Sequence, residues 1–139
     1  MNQIIDIVCN LYTPQVVQED RMGIDDNFKR QVRMPEDMRG GVSVDDYLVR
    51  MDRAGIERSL LIAVRGGDLN VRGSFEVPYE YVHKVCQQHP ERFSGLAGVD
   101  PTRGMQGLKD LEIGVKEYGF VGAHWYPHWF SMPPDAAQI

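Results

Sequence analysis

Basic residues are in short supply in this sequence: 15 Lys and Arg stand against 20 Asp and Glu, a formal charge of −5. Nucleic-acid surfaces need a local excess of Lys and Arg, and here the basic residues are scattered, so a nucleic-acid partner is excluded. Cysteine is equally scarce. Cys9 and Cys86 are the only two, too few for a disulfide framework, which predicts a reducing, cytoplasmic setting. No apolar run approaches the roughly 18 residues of a membrane span, and there is neither a repeat nor a low-complexity tract. What remains, 42% hydrophobic and 25% charged over 139 residues, suits one modest core and calls for no second domain.

Ile4 to Pro14 has the length and β-branched content of a buried strand running out into a loop. Strict alternation would put Asp6, Val8 and Asn10 on one face and Ile5, Ile7, Cys9 and Leu11 on the other. The next stretch, about 13–42, is polar and carries Met, Gly and Pro without sustained periodicity. It reads as a long loop insertion, with a short helix allowed by the spacing of Phe28 and Val32.

From Ser43 the pattern sharpens. Ser43 and Asp46 resemble a capping box with Asp in place of Glu, Val44, Tyr47, Leu48 and Met51 recur at helical spacing, and Gly55 stops the helix. Ser59 to Val64 is a continuous apolar run that predicts a strand covered on both faces. A loop follows over 65–77, then a helix opened by Pro78 as a first-turn proline, with Val82, Val85 and Cys86 as its apolar stripe and His89-Pro90 as its stop. A third strand spans Phe93 to Val99. Leu108, Leu111, Val115 and Tyr118 mark a third amphipathic helix closed by Gly119, Phe120 to Tyr126 is a fourth strand, and Pro133 to Asp135 begins another helix. Strands alternating with helices imply right-handed crossovers and a parallel α/β sheet.

The register Asp6-x-Val8-x-Asn10 resembles the first-strand Asp-x-His-x-His motif of the amidohydrolase superfamily, in its decarboxylase, hydratase and lactone hydrolase branch. Three further phrases are similar to that branch in the same order: Asp52-Arg-Ala-Gly-Ile56, Asp100-Pro101, and Gly119-Phe-Val-Gly122 leading to Tyr126-Pro127. The resemblance implies a (β/α)8 TIM barrel with its active site at the C-terminal strand ends. Such a barrel needs eight strands and typically about 250 residues. This chain supplies four strands, so residues 1–139 are expected to form one partial TIM-barrel domain, the N-terminal half of a longer protein. The alternative is a natural short subunit whose other half barrel is a separate chain. In either case open sheet edges predict a homo-oligomer or a covering C-terminal half.

The family usually binds zinc or another divalent metal through the two first-strand His residues. Val8 and Asn10 stand at those positions. Val has no lone pair and an amide oxygen is a poor zinc ligand, so no metal site is assigned within these residues. Candidate catalytic residues are His124, as acid or base near neutral pH, and Asn10, which could orient a carboxylate or water or only satisfy backbone groups at a strand end. Tyr12, Tyr126, His128 and Trp129 are candidate substrate contacts at strand ends. Arg65, with Asp68, Asn70 and Arg72 after it, is placed to bind a carboxylate in a bidentate fork, although a solvated loop charge would look the same. Asp100 favours a turn, and His83 and His89 belong to an outer helix. The resemblance implies a hydrolase or carboxy-lyase acting on a small carboxylated or aromatic substrate. The competing reading is a non-catalytic, degenerate homologue that serves as structural or regulatory partner subunit.

Overall fold

The structure is a computed structural model that describes residues 4–67, 74–133 and 135. Four strands, β1 (Ile4–Asn10), β2 (Ile56–Ala63), β5 (Phe93–Gly98) and β6 (Gly122–His124), form one parallel sheet in the order β1-β2-β5-β6. Helix α3 (Val44–Ala54) connects β1 to β2, α4 (Tyr79–Gln88) connects β2 to β5, and α5 (Met105–Lys116) connects β5 to β6. Sequential order with a helical crossover between every pair of neighbours makes a curled half barrel, as the alternation of strands and helices predicts.

Local chemistry sets the boundaries. Ser43 Oγ accepts from the Asp46 amide at 3.1 Å and donates to the Asp46 carboxylate at 2.8 Å. The cap is therefore real, but the short Asp side chain returns to the hydroxyl. Gly55 ends α3 in the left-handed conformation at φ 69°, as its position in the sequence predicts. Pro78 sits one place earlier than expected, at the N-cap of α4.

The core lies between the sheet and its helices. Leu61, Ile62 and Ala63 of β2 are fully buried, as a strand covered on both faces requires, and Phe93, Ala97, Val82 and Met51 close around them. Each large side chain buried in this way contributes about 1.5–3 kcal/mol.

Several expectations are corrected. β1 is the open edge that a half barrel implies, but it is not the buried strand its apolar content suggests: Ile4, Ile5, Ile7 and Val8 are exposed. Its alternation is also broken: Asp6 pairs with Ser59 but Cys9 pairs with Leu61, so two positions of β1, Ile7 and Val8, oppose Leu60 alone on β2. A bulge of this kind re-aims the side chains beyond it, and Val8, Cys9 and Asn10 all reach one cavity. In α5 the predicted stripe fails at Leu108 and Val115, exposed at 58% and 49%. The helix turns two glycines inward instead: a Cβ on Gly114 would lie 3.1 Å from Ala97 of β5, and one on Gly107 would lie 2.6 Å from the Asp100 carbonyl oxygen in the turn after that strand. Close packing, not hydrophobicity, selects that face. The fourth strand is shorter than expected, since Phe120 packs into the core before it and Tyr126 already leads into a 3-10 turn, Pro127–Phe130.

The insertion is not featureless. It holds α1 (Pro14–Gln18), α2 (Asp26–Gln31) and a 3-10 turn at Glu36–Met38. The loop after β2 contains a small antiparallel pair, β3 (Arg65–Gly66) with β4 (Phe75–Glu76). Asp68, Asn70 and Arg72 lie outside the described residues, as does most of the helix expected from Pro133.

Candidate active site at the C-terminal strand ends

Parallel strands deliver all four C-terminal ends to one side of the sheet. There a cavity of about 640 Å³ opens, with Asn10 and Tyr12 at the end of β1 and Tyr126, His128 and Trp129 beyond β6. Five of the predicted site residues thus share one space. Met22, Phe28, Met34 and Met38 of the insertion wall it from another side, and Phe75 of β4 joins them. Trp129 meets Phe75 edge-on at 5.1 Å, which ties the hairpin to the turn after β6.

Strand ends leave backbone groups to be satisfied, and Tyr47 of α3 does this at the mouth. Its hydroxyl donates to the Asn10 carbonyl oxygen at 2.7 Å and accepts from the Tyr12 amide at 3.1 Å. The Tyr12 hydroxyl in turn donates to the Arg39 carbonyl oxygen at 3.2 Å, anchoring the insertion. Both phenols are therefore committed to the backbone. The Asn10 side-chain amide, the Tyr126 hydroxyl and the His128 imidazole have no hydrogen-bond partner among the described residues, so these are the polar groups left for a ligand. Burial pushes the Tyr126 phenol up from its ordinary value. Cys9 also lines the cavity, but burial, reinforced by the Asp6 charge, pushes its thiol up to about 12, which rules it out as a thiolate nucleophile near neutral pH.

Two predicted site residues fall elsewhere. Arg65 is already paired: its guanidinium lies 2.9 Å from the Asp110 carboxylate and 3.2 Å from that of Glu76, and 5.1 Å from the centre of the Tyr79 ring. Burial would lower its pKa, but the two carboxylates outweigh that and raise it. It pins the hairpin to α5 and does not line the cavity. His124 lines a second groove of about 790 Å³ along α5 and β6, with Trp125, Met105 and Leu108. Its ring meets Tyr126 edge-on at 4.4 Å, its Nδ1 is buried without a partner, and burial lowers its pKa. Asp100 makes the expected turn, accepting from the Thr102 amide at 2.9 Å and hydroxyl at 2.6 Å.

Sequence reasoning missed Tyr47, Phe75 and the methionine wall. The methionines of the insertion were visible as composition, but nothing in their spacing shows that they converge. Tyr47 was visible only as one member of an apolar stripe.

No protein-family model matches the sequence, and no curated protein does either. Solved structures do match. A 4-oxalomesaconate hydratase from Rhodopseudomonas palustris superposes with a TM-score of 0.58 at 27% identity, over 96% of this chain and 45% of its own. A TIM-barrel protein of uncharacterised function from Bordetella bronchiseptica gives 0.62 at 19% identity, over 95% and 46%. A dihydroxybenzoic acid decarboxylase from Polaromonas sp. JS666, with bound manganese, gives 0.57 at 23% identity, over 88% and 38%. The chain spans about two fifths of the length of the solved structures it matches.

The donor set here does not suit the metal that the superfamily resemblance implies. Val8 offers no lone pair, Asn10 offers a neutral amide, and no group of three or more His, Cys, Asp or Glu side chains converges among the described residues. The four parallel strands, their order and these superpositions together show that the chain folds as the N-terminal half of a (β/α)8 barrel, structurally similar to decarboxylases and a hydratase of the amidohydrolase superfamily.

Proposed function

We propose that the chain forms one half of the active-site mouth of a barrel enzyme, a hydrolase or carboxy-lyase acting on a small carboxylated or aromatic substrate. The observation that carries this reading is the convergence of Asn10, Tyr126 and His128, each with a polar group not taken up by the described protein, on one aromatic-walled cavity at the strand ends. Strand ends are where barrels of this kind hold their chemistry. His128 is the imidazole among the described lining residues, the side-chain type that most often serves as general acid or base. Asn10 and Tyr126 orient the substrate's oxygen atoms. His124 acts through Tyr126, whose ring it holds edge-on. The decarboxylases among the structural neighbours favour the carboxy-lyase side of this reading.

The competing reading, a non-catalytic partner subunit, rests on Val8 and Asn10 at the two first-strand ligand positions. Incubation of the protein with hydroxybenzoates, with CO₂ release and product chromatography as readouts, separates the two. Turnover that falls about 10²–10⁴-fold in His128→Ala, with the fold retained by circular dichroism, is the expected result. Absence of turnover together with absence of ligand binding at Trp129 leaves the partner-subunit reading standing.

A further inference from the structure

Cavities at strand ends take their selectivity from the walls around them, and here the insertion builds one wall. Met22, Ile24, Phe28, Met34 and Met38 come from a stretch with no regular apolar period, yet all five line the same space. Thioethers are polarisable and unbranched, and they contact aromatic rings favourably. Phe75 and Trp129, edge-on to each other at 5.1 Å, add aromatic rings to the same space. The charge pattern points the same way. Asp6 is the acidic residue among the described lining residues, and neither Lys nor Arg stands with it. Arg65, the cation that its place after β2 offers for a carboxylate, is held by Asp110 and Glu76. Cys9, Tyr47 and Tyr126, which also line the cavity, are kept uncharged, since burial raises the pKa of each.

From this we infer that the insertion is the specificity element of the site, and that this half of the mouth takes the uncharged part of a substrate. The ligand class is a hydroxyl-bearing aromatic ring, with the ring against the Met34, Met38 and Phe28 wall and the hydroxyl on Asn10, Tyr126 or His128. A carboxylate placed in the same space meets Asp6 with neither Lys nor Arg among the described lining residues to offset it. The inference rests on the proposed function and narrows it, because it assigns recognition of the ring, not of the carboxylate, to this chain.

Trp129 lies in the cavity and reports its occupancy, so the test is fluorescence titration of the 139-residue protein with phenol and with benzoate, using Trp129→Phe to assign the signal. Phenol is expected to bind about tenfold more tightly than benzoate, a difference of about 1.4 kcal/mol. Asp6→Asn is expected to narrow that ratio by raising benzoate affinity, and Met38→Lys to reverse it, since each changes the charge that a carboxylate meets. Met34→Ala is expected to weaken both ligands together. Benzoate binding more tightly than phenol to the unaltered protein, or a ratio unmoved by Asp6→Asn and Met38→Lys, overturns the inference while leaving an aromatic carboxylate as substrate. Binding of neither ligand to a protein with an intact near-ultraviolet spectrum overturns both the inference and the proposed function.

Discussion

Tyr47 donates its hydroxyl hydrogen to the carbonyl oxygen of Asn10 at 2.7 Å, so a helix preceding β2 fixes the end of β1. The same hydroxyl accepts from the Tyr12 amide at 3.1 Å, and that amide also donates to the Asn10 carbonyl oxygen at 3.0 Å, so one phenol braces a pair of backbone groups at the mouth. Tyr47→Phe keeps the ring and its packing but removes two hydrogen bonds, leaving the Tyr12 amide and the Asn10 carbonyl with only the bond between them. It is expected to lower unfolding free energy by about 2 kcal/mol, read as a fall in urea midpoint without change in slope. A midpoint unchanged within error would show that water replaces the phenol at no cost.

How α5 packs was the least legible part of the sequence. Hydrophobic spacing marked Leu108 and Val115 as its buried stripe, whereas backbone approach through Gly107 and Gly114 decides the face. β1 was legible as a strand and as an open edge but not in its exposure: its apolar content resembles a buried strand, whereas burial depends on the elements that cover its faces, which no local pattern encodes. By contrast α3, with its Ser43 cap and Gly55 stop, and the buried part of β2, whose run from Ser59 to Val64 lacks alternation, were legible because both signals are local, although β2 itself begins at Ile56. For the site, residues at strand ends were readable from their position, while contributions from the insertion and from Tyr47 depend on tertiary approach.

Glycine sites give a direct check on the close approaches. A Cβ on Gly98 would stand 2.0 Å from the Ala63 carbonyl oxygen across the β2–β5 pair, whereas one on Gly40 would meet nothing within 4 Å. Gly98→Ala is expected to cost about 2 kcal/mol or more, and Gly40→Ala to be neutral within about 0.5 kcal/mol. Thermal melts of the two variants side by side measure the difference.

Asp110 gathers Arg65 at 2.9 Å, Arg103 at 2.6 Å and Gln106 at 2.9 Å. Burial raises its pKa, but hydrogen bonds from Gln106 and Arg65 and the charges of Arg65 and Arg103 outweigh it, leaving the carboxyl below its ordinary value. Because the folded value lies below the unfolded one, its contribution is complete above about pH 4 and is lost as pH falls through the folded value. Asp110→Asn is therefore expected to lower stability by about 2 kcal/mol at pH 7 and to flatten the acid limb of a stability-against-pH curve. Parallel acid limbs for the two proteins would contradict this.

Both cysteines are expected to resist thiol reagents while the chain is folded. Burial and the Asp6 charge push Cys9 up to about 12, and burial pushes Cys86 up to about 11. At pH 8 a thiol-disulfide reagent should react with both slowly in buffer and rapidly in denaturant. Rapid native labelling of Cys9 would mean that β1 opens at low cost.

Openness of β1 and β6 carries the broadest prediction. Each has one paired neighbour in the sheet, so each presents a row of backbone donors and acceptors, and apolar side chains accompany both: Ile7 on β1 and Val121 just before β6 are exposed at 65% and 64%. Edges of this kind template association with another strand, and burying such groups unpaired costs about 1–3 kcal/mol each, so the favourable outcome is pairing. Expressed as these 139 residues, the chain is expected to elute as a dimer or larger species by light scattering. Ile7→Lys combined with Val121→Lys should shift it toward monomer, because edge lysines oppose strand addition without altering the core. A monodisperse monomer of the unaltered chain, melting in one sharp cooperative transition, would show that four strands close a sufficient core by themselves. It would also remove the need for a covering second half at the mouth where Asn10 and His128 converge.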